Sequence, residues 1–102
     1  MEKSNLEKQF DTAMENIYIT TKRDLGYNAS RFINMLYEDG GVATANHLVS
    51  SGPSEGYTFL NQHGRLDLTV EALIMDEKWH PLFDSEIINS ARERLIKYGF
   101  NA

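Results

Sequence analysis

Apolar residues recur at intervals of three and four through most of the chain, the repeat that places side chains on one face of an α-helix. Leu6, Phe10, Ala13, Met14, Ile17 and Leu25 share one side of a helical wheel, and Ser4 followed by Glu7 has capping-box spacing. The pattern predicts a first helix over about Asn5 to Leu25. Gly26 can close it in the left-handed conformation, and Asn28 stands where it can cap a second helix through Phe32, Ile33, Met35 and Leu36. Gly40 and Gly41 stop that helix, and a third runs through Val42, Ala45, Leu48 and Val49 to the breaker cluster Ser50-Ser51-Gly52-Pro53. Ser54 caps a fourth through Tyr57, Phe59 and Leu60, closed by Gly64. Asp67 caps a fifth over Leu68 to Met75. Glu77 to Phe83 contains Pro81 and is expected as an irregular or short 3₁₀ connector. Asp84 then caps a last helix with Ile87, Ile88, Ala91, Leu95 and Tyr98 on one face, ended by Gly99 with Phe100 packing back.

No segment alternates apolar and polar residues for long enough to form a strand, and no repeat or linker divides the chain. The prediction is an all-α fold: a single compact domain, residues 1–102, of about six short-to-medium helices in crossed packing. The core expected from this pattern is Phe10, Ile17, Phe32, Leu36, Leu48, Leu68, Leu73, Phe83, Ile88 and Leu95. At 102 residues such a domain can bury a sufficient core without a disulfide or a structural metal.

Charge and cysteine content narrow the function classes. The net charge is −5 and the acidic residues are spread over both halves, so neither half is a basic platform for nucleic acid. There is no cysteine, which removes thiol nucleophiles, iron–sulfur ligation and disulfide scaffolds, and makes the reducing cytoplasm the expected compartment. No apolar run approaches the roughly 18 to 20 residues that span a bilayer, and Met1 to Phe10 lacks a signal-peptide core, so no membrane partner is expected.

Several separated blocks resemble a family of small bacterial helical domains. They are Gly26-Tyr27, Phe32-Ile33-Asn34-Met35-Leu36, Gly40 to Ala45, Gly64 to Leu73, Pro81-Leu82-Phe83, and Ala91 to Leu95 ahead of Tyr98-Gly99. The most distinctive is Gly-Arg-Leu-Asp-Leu-Thr-Val-Glu at 64–71. The resemblance covers about three quarters of the chain, with residues 1–25 an N-terminal helix outside it. It implies a compact helical domain and supplies no catalytic residues.

Candidate chemistry is sparse. His47, His63 and His80 lack partners at metal-ligand spacing, and the loop Gly52-Pro53-Ser54-Glu55-Gly56 lacks the Lys-Ser/Thr of a phosphate loop. Ser50, Ser51 and Ser54 suit turns and caps, with no nucleophile elbow around them. No catalytic, cofactor or metal site is therefore assigned. Glu71 stands out as the only charge on an all-round apolar helix, where a carboxylate must be paired, protonated or wetted. An internal ion pair is expected, with Arg65 the preferred partner and Arg31 or Arg92 the alternatives.

These features predict a non-enzymatic protein-interaction module whose partner is another protein or a second copy of the chain. Ile19 and Ile96 fall off the apolar stripes of the first and last helices and mark its interaction surface. Arg92, Arg94 and Lys97 give the last helix a basic side that belongs to the same expected interaction surface and is the basis of an alternative in which the domain contacts nucleic acid. A further alternative is an enzyme built on Glu71 and a histidine.

Overall fold

Local signals at the helix ends set the architecture. In the computed structural model, which describes residues 3–100, Ser4 and Glu7 form a reciprocal capping box, with the Glu7 amide donating to Ser4 Oγ and the Ser4 amide to Glu7 Oε1, each at 3.1 Å. The helix they start, α1 (Asn5–Leu25), ends at Gly26 in the left-handed conformation, as the pattern predicts. Then follow α2 (Ser30–Asp39), α3 (Gly41–Ser50), α4 (Glu55–Gln62), a 3₁₀ turn (Leu66–Leu68), α5 (Val70–Ile74), a second 3₁₀ segment (Glu77–Leu82) and α6 (Ser85–Lys97). No strand occurs among the described residues. The fold is all-α, and its radius of gyration, 12.7 Å, matches the ~13 Å expected of about 100 residues in one globule.

Three boundaries and one cap differ from the sequence expectation. Gly41 does not stop α2. It opens α3, where a Cβ would lie 2.8 Å from Asp11 Oδ1 and 2.9 Å from the Phe10 ring. Glycine there lets α1 cross close to α3, and its amide donates to Asp11 Oδ1 at 2.7 Å, so α3 is capped by a side chain from α1. Asn28 is not the cap of α2. Ala29 holds that position, and Asn28 Oδ1 accepts the Tyr18 hydroxyl at 2.6 Å. Asp67 is displaced as a cap by Thr69, whose hydroxyl accepts from the Ala72 amide at 3.1 Å and donates to Leu66 O at 2.6 Å. Asp84 occupies the cap position of α6 but makes no side-chain cap bond. The end of α6 is as expected: Phe100 N–H reaches Leu95 O and Gly99 N–H reaches Ile96 O, the paired bonds of a Schellman stop.

The core has two parts. The larger joins α1, α2, α3 and α5 around Phe10, Met14 and Ile74, all with no exposed surface, and brings in Trp79 and Phe83 from the second 3₁₀ segment and its end. Phe10 meets both aromatic rings edge-on, with centroids 5.2 Å away. The smaller part gathers Tyr57, Leu66 and Leu95, with Phe100 packed on them. Of the predicted core, Phe10, Leu36, Leu68, Phe83 and Leu95 are buried, while Ile17, Phe32, Leu48, Leu73 and Ile88 are half-buried.

Candidate functional site

The placement of Glu71 follows from the short helix that carries it. The 3₁₀ turn buries Leu66 and Leu68, Thr69 caps α5, and Glu71 lies in its first turn with only 4% of its surface exposed. The charge is met from α6. Arg94 Nη1 lies 2.7 Å from Glu71 Oε2, and the Arg94 side chain is itself only 13% exposed. The same guanidinium holds the end of α3: Nη1 donates to Leu48 O at 3.1 Å, and Nη2 donates to Val49 O at 3.2 Å and to Ser51 O. The carbonyls of a helix C-terminus lack intrahelical donors and carry the negative end of its dipole, so a planar fork of N–H groups suits them. One arginine therefore ties α6, α5, the end of α3 and the start of the loop after it.

Arg65, the partner preferred from sequence, is elsewhere. Its Nε bonds Asp67 Oδ1 at 3.1 Å, its Nη1 lies 3.7 Å from Asp24, and both contacts are at the surface. Nearness in sequence misleads here because the 3₁₀ turn separates the two, leaving Arg65 outside while α5 turns Glu71 toward α6. Arg94 is correspondingly lost from the predicted interaction surface. A signal for this was present: Arg94 is three residues from Ala91 and four from Tyr98, on the flank of the buried stripe of α6. Lys97 stays exposed, over the Tyr98 ring, while Arg92 is half-buried and bonded to Asn89. Ile19 and Ile96 are exposed, at 47% and 58%.

Burial raises the Glu71 carboxyl above its ordinary value of 4.5, against the opposing hydrogen bond from Arg94. Loss of solvation is the largest effect, and the hydrogen bonds from Arg94 and from the Glu71 backbone, with the Arg94 charge, offset only part of it. The folded chain thus holds this proton more tightly than the unfolded chain, and the stability it contributes is present below pH 4.5 and lost as pH rises through the raised value. Wild type is expected to gain stability relative to Glu71→Gln as the pH falls from neutrality toward 4.5. Paired denaturant titrations check this, and a difference moving the other way would show that the ion pair outweighs burial. The Tyr57 hydroxyl, which donates to Arg94 O at 3.3 Å, is pushed up to about 12, first by burial and then by the Glu71 charge.

Glu71 also reaches a cleft of 460 Å³, a volume typical of ligand sites. Its lining comes from α1 and α2, with Ile17, Tyr18, Phe32 and Met35, and from the end of α3, α4 and the Leu68–Glu71 stretch, with Leu48, Leu60, Leu68 and Val70. Asn28, Ser30, Arg31, Ser51, Ser54 and Glu55 also line it, all of them solvent-exposed. Thus Arg94, by holding Leu48, Val49 and Ser51, also fixes part of the cleft wall.

The chain has no match among protein-family models, curated proteins or solved structures. Residue roles therefore come from the geometry. Two of the three serines that line the cleft are engaged in local turns: Ser51 Oγ donates to His47 O at 2.8 Å, and Ser54 Oγ accepts from the Tyr57 amide at 3.1 Å. His47 is exposed at the cleft, whereas His63 Nδ1 lies 2.8 Å from Phe59 O and His80 Nε2 lies 3.1 Å from Ile74 O. Glu71 takes its side-chain hydrogen bond from Arg94 and not from a histidine. No group of three or more metal-ligating side chains occurs among the described residues, and no described helix is long and apolar enough to cross a membrane.

Proposed function

We propose that the domain is a non-enzymatic protein-interaction module that receives an apolar segment of a partner protein in the cleft between α1–α2 and α3–α5. The observation that carries this reading is the cleft itself: apolar walls from two sides of the molecule, exposed polar residues along it, and a single buried charge already paired with Arg94. Such a surface favours burial of apolar side chains while the polar residues satisfy the main chain that brings them. The hydroxyls of Ser51 and Ser54 beside it are held in turn and cap hydrogen bonds, which also supports docking over chemistry.

Peptides selected by display against the immobilised full chain test this. Met35→Glu, which puts a charge on a half-buried wall position, is expected to abolish binding of the selected peptides while circular dichroism stays unchanged. Ile19→Asp and Ile96→Asp, at exposed positions that do not line the cleft, are expected to leave binding intact. Binding that survives Met35→Glu and is lost with either isoleucine variant would overturn the assignment to the cleft.

A further inference from the structure

The chemistry of the cleft narrows what side chain can fill it. An ionised carboxylate only accepts hydrogen bonds, so a group that reaches Glu71 must present a donor. Arg94 is already 2.7 Å from Oε2. A second cation would stand beside the guanidinium in a site where Glu71 is 4% exposed, and like charges out of water repel strongly. The donor is therefore neutral. Behind it the body must be apolar, because the cleft that Glu71 lines is also lined by Ile17, Phe32, Met35 and Leu48, and the aromatic residues Tyr18 and Tyr27 in the same lining suit a flat partner.

Among side chains this combination singles out one. Serine and threonine have too little apolar body, asparagine and glutamine bring a polar acceptor past the apolar walls, and the indole N–H of tryptophan sits on the side of its ring. Tyrosine carries its hydroxyl at the leading tip. We propose that the cleft takes a tyrosine side chain of the partner protein, ring between the apolar walls and phenolic O–H donating to the Glu71 carboxylate. This rests on the cleft being the docking surface and adds the identity of the anchoring side chain. It also gives the ion pair a part in recognition: Arg94 keeps the carboxylate in place and makes a neutral donor the fitting one.

The test uses three small amides against the full-length chain, followed by the methyl NMR signals of Ile17, Met35 and Leu48. N-acetyl-tyrosinamide is expected to shift those signals and to bind at least about tenfold more tightly than N-acetyl-phenylalaninamide, the hydroxyl being the only difference. Its O-methyl ether keeps the ring and the oxygen but cannot donate, and is expected to fall to the phenylalanine level. In Glu71→Gln, where the charge-assisted bond is lost, the preference for tyrosine should shrink to within about threefold. Equal binding of all three amides at the cleft would overturn the tyrosine assignment while leaving apolar docking in place. Absence of any shift at the cleft would overturn it too, and the peptide selection would then decide the docking surface separately.

Discussion

Replacing Arg94 with alanine is expected to destabilise the domain by about 3 to 5 kcal/mol, the range for breaking a buried ion pair by removing one partner. The substitution strands the Glu71 side chain, 5% exposed, without its cation, and removes the donors from Leu48 O, Val49 O and Ser51 O. Protonation of Glu71 relieves part of the first loss, because its proton affinity is already raised by burial, but it does not restore the donors to Leu48 O, Val49 O and Ser51 O. Arg94→Lys should recover only a fraction, since one ammonium cannot reproduce a fork that meets a carboxylate and three carbonyls. Chemical denaturation of the two variants beside wild type checks the order. For a domain whose total stability is of order 5 to 15 kcal/mol, the alanine variant would be unfolded in a large share of molecules on warming.

A loss of similar size, about 3 to 5 kcal/mol, is expected for Phe10→Ala. Phe10 has no exposed surface and stands at the meeting of α1, the start of α3 and the second 3₁₀ segment, edge-on to both Trp79 and Phe83. Truncation removes the apolar transfer energy, two aromatic contacts and the filling of a site that cannot collapse easily, because Gly41 already brings α3 close to α1 there. Ile19→Ala, at an exposed position of the same helix, should change stability by no more than about 0.5 kcal/mol. Thermal melts followed by circular dichroism would show the contrast directly, as a drop of many degrees in one variant and almost none in the other.

How far the sequence carries such predictions depends on whether a feature is decided locally. The bounds of α1 are legible because Ser4 with Glu7 and Gly26 act within one turn of the ends they fix. The start of α5 is not, because Asp67 and Thr69 are both competent caps. The choice falls to Thr69 once Leu66 and Leu68 are both turned inward by a 3₁₀ turn, which is a tertiary demand. Glu71 is recognisable as a buried charge from its apolar neighbours alone. Its partner is not, because Arg94 is 23 residues away and shares with Arg92 and Lys97 the look of a solvated basic face. Only its position on the flank of the Ala91–Tyr98 stripe distinguishes it. The cleft leaves no local trace at all. Its lining is drawn from Ile17 through Glu71, and apart from Glu71 each of those residues reads in isolation as ordinary core or loop.

The central claim is that Glu71 and Arg94 act as one unit that joins α5 and α6 to the end of α3. A double-mutant cycle of Glu71→Ala and Arg94→Ala, measured by urea denaturation, tests it most directly. The structure predicts a coupling of about 1 to 3 kcal/mol between these two positions. It predicts none beyond error between Glu71 and Arg65, which bonds Asp67 and Asp24 at the surface. Additive effects at 71 and 94, or a coupling that appears at 65 instead, would contradict it.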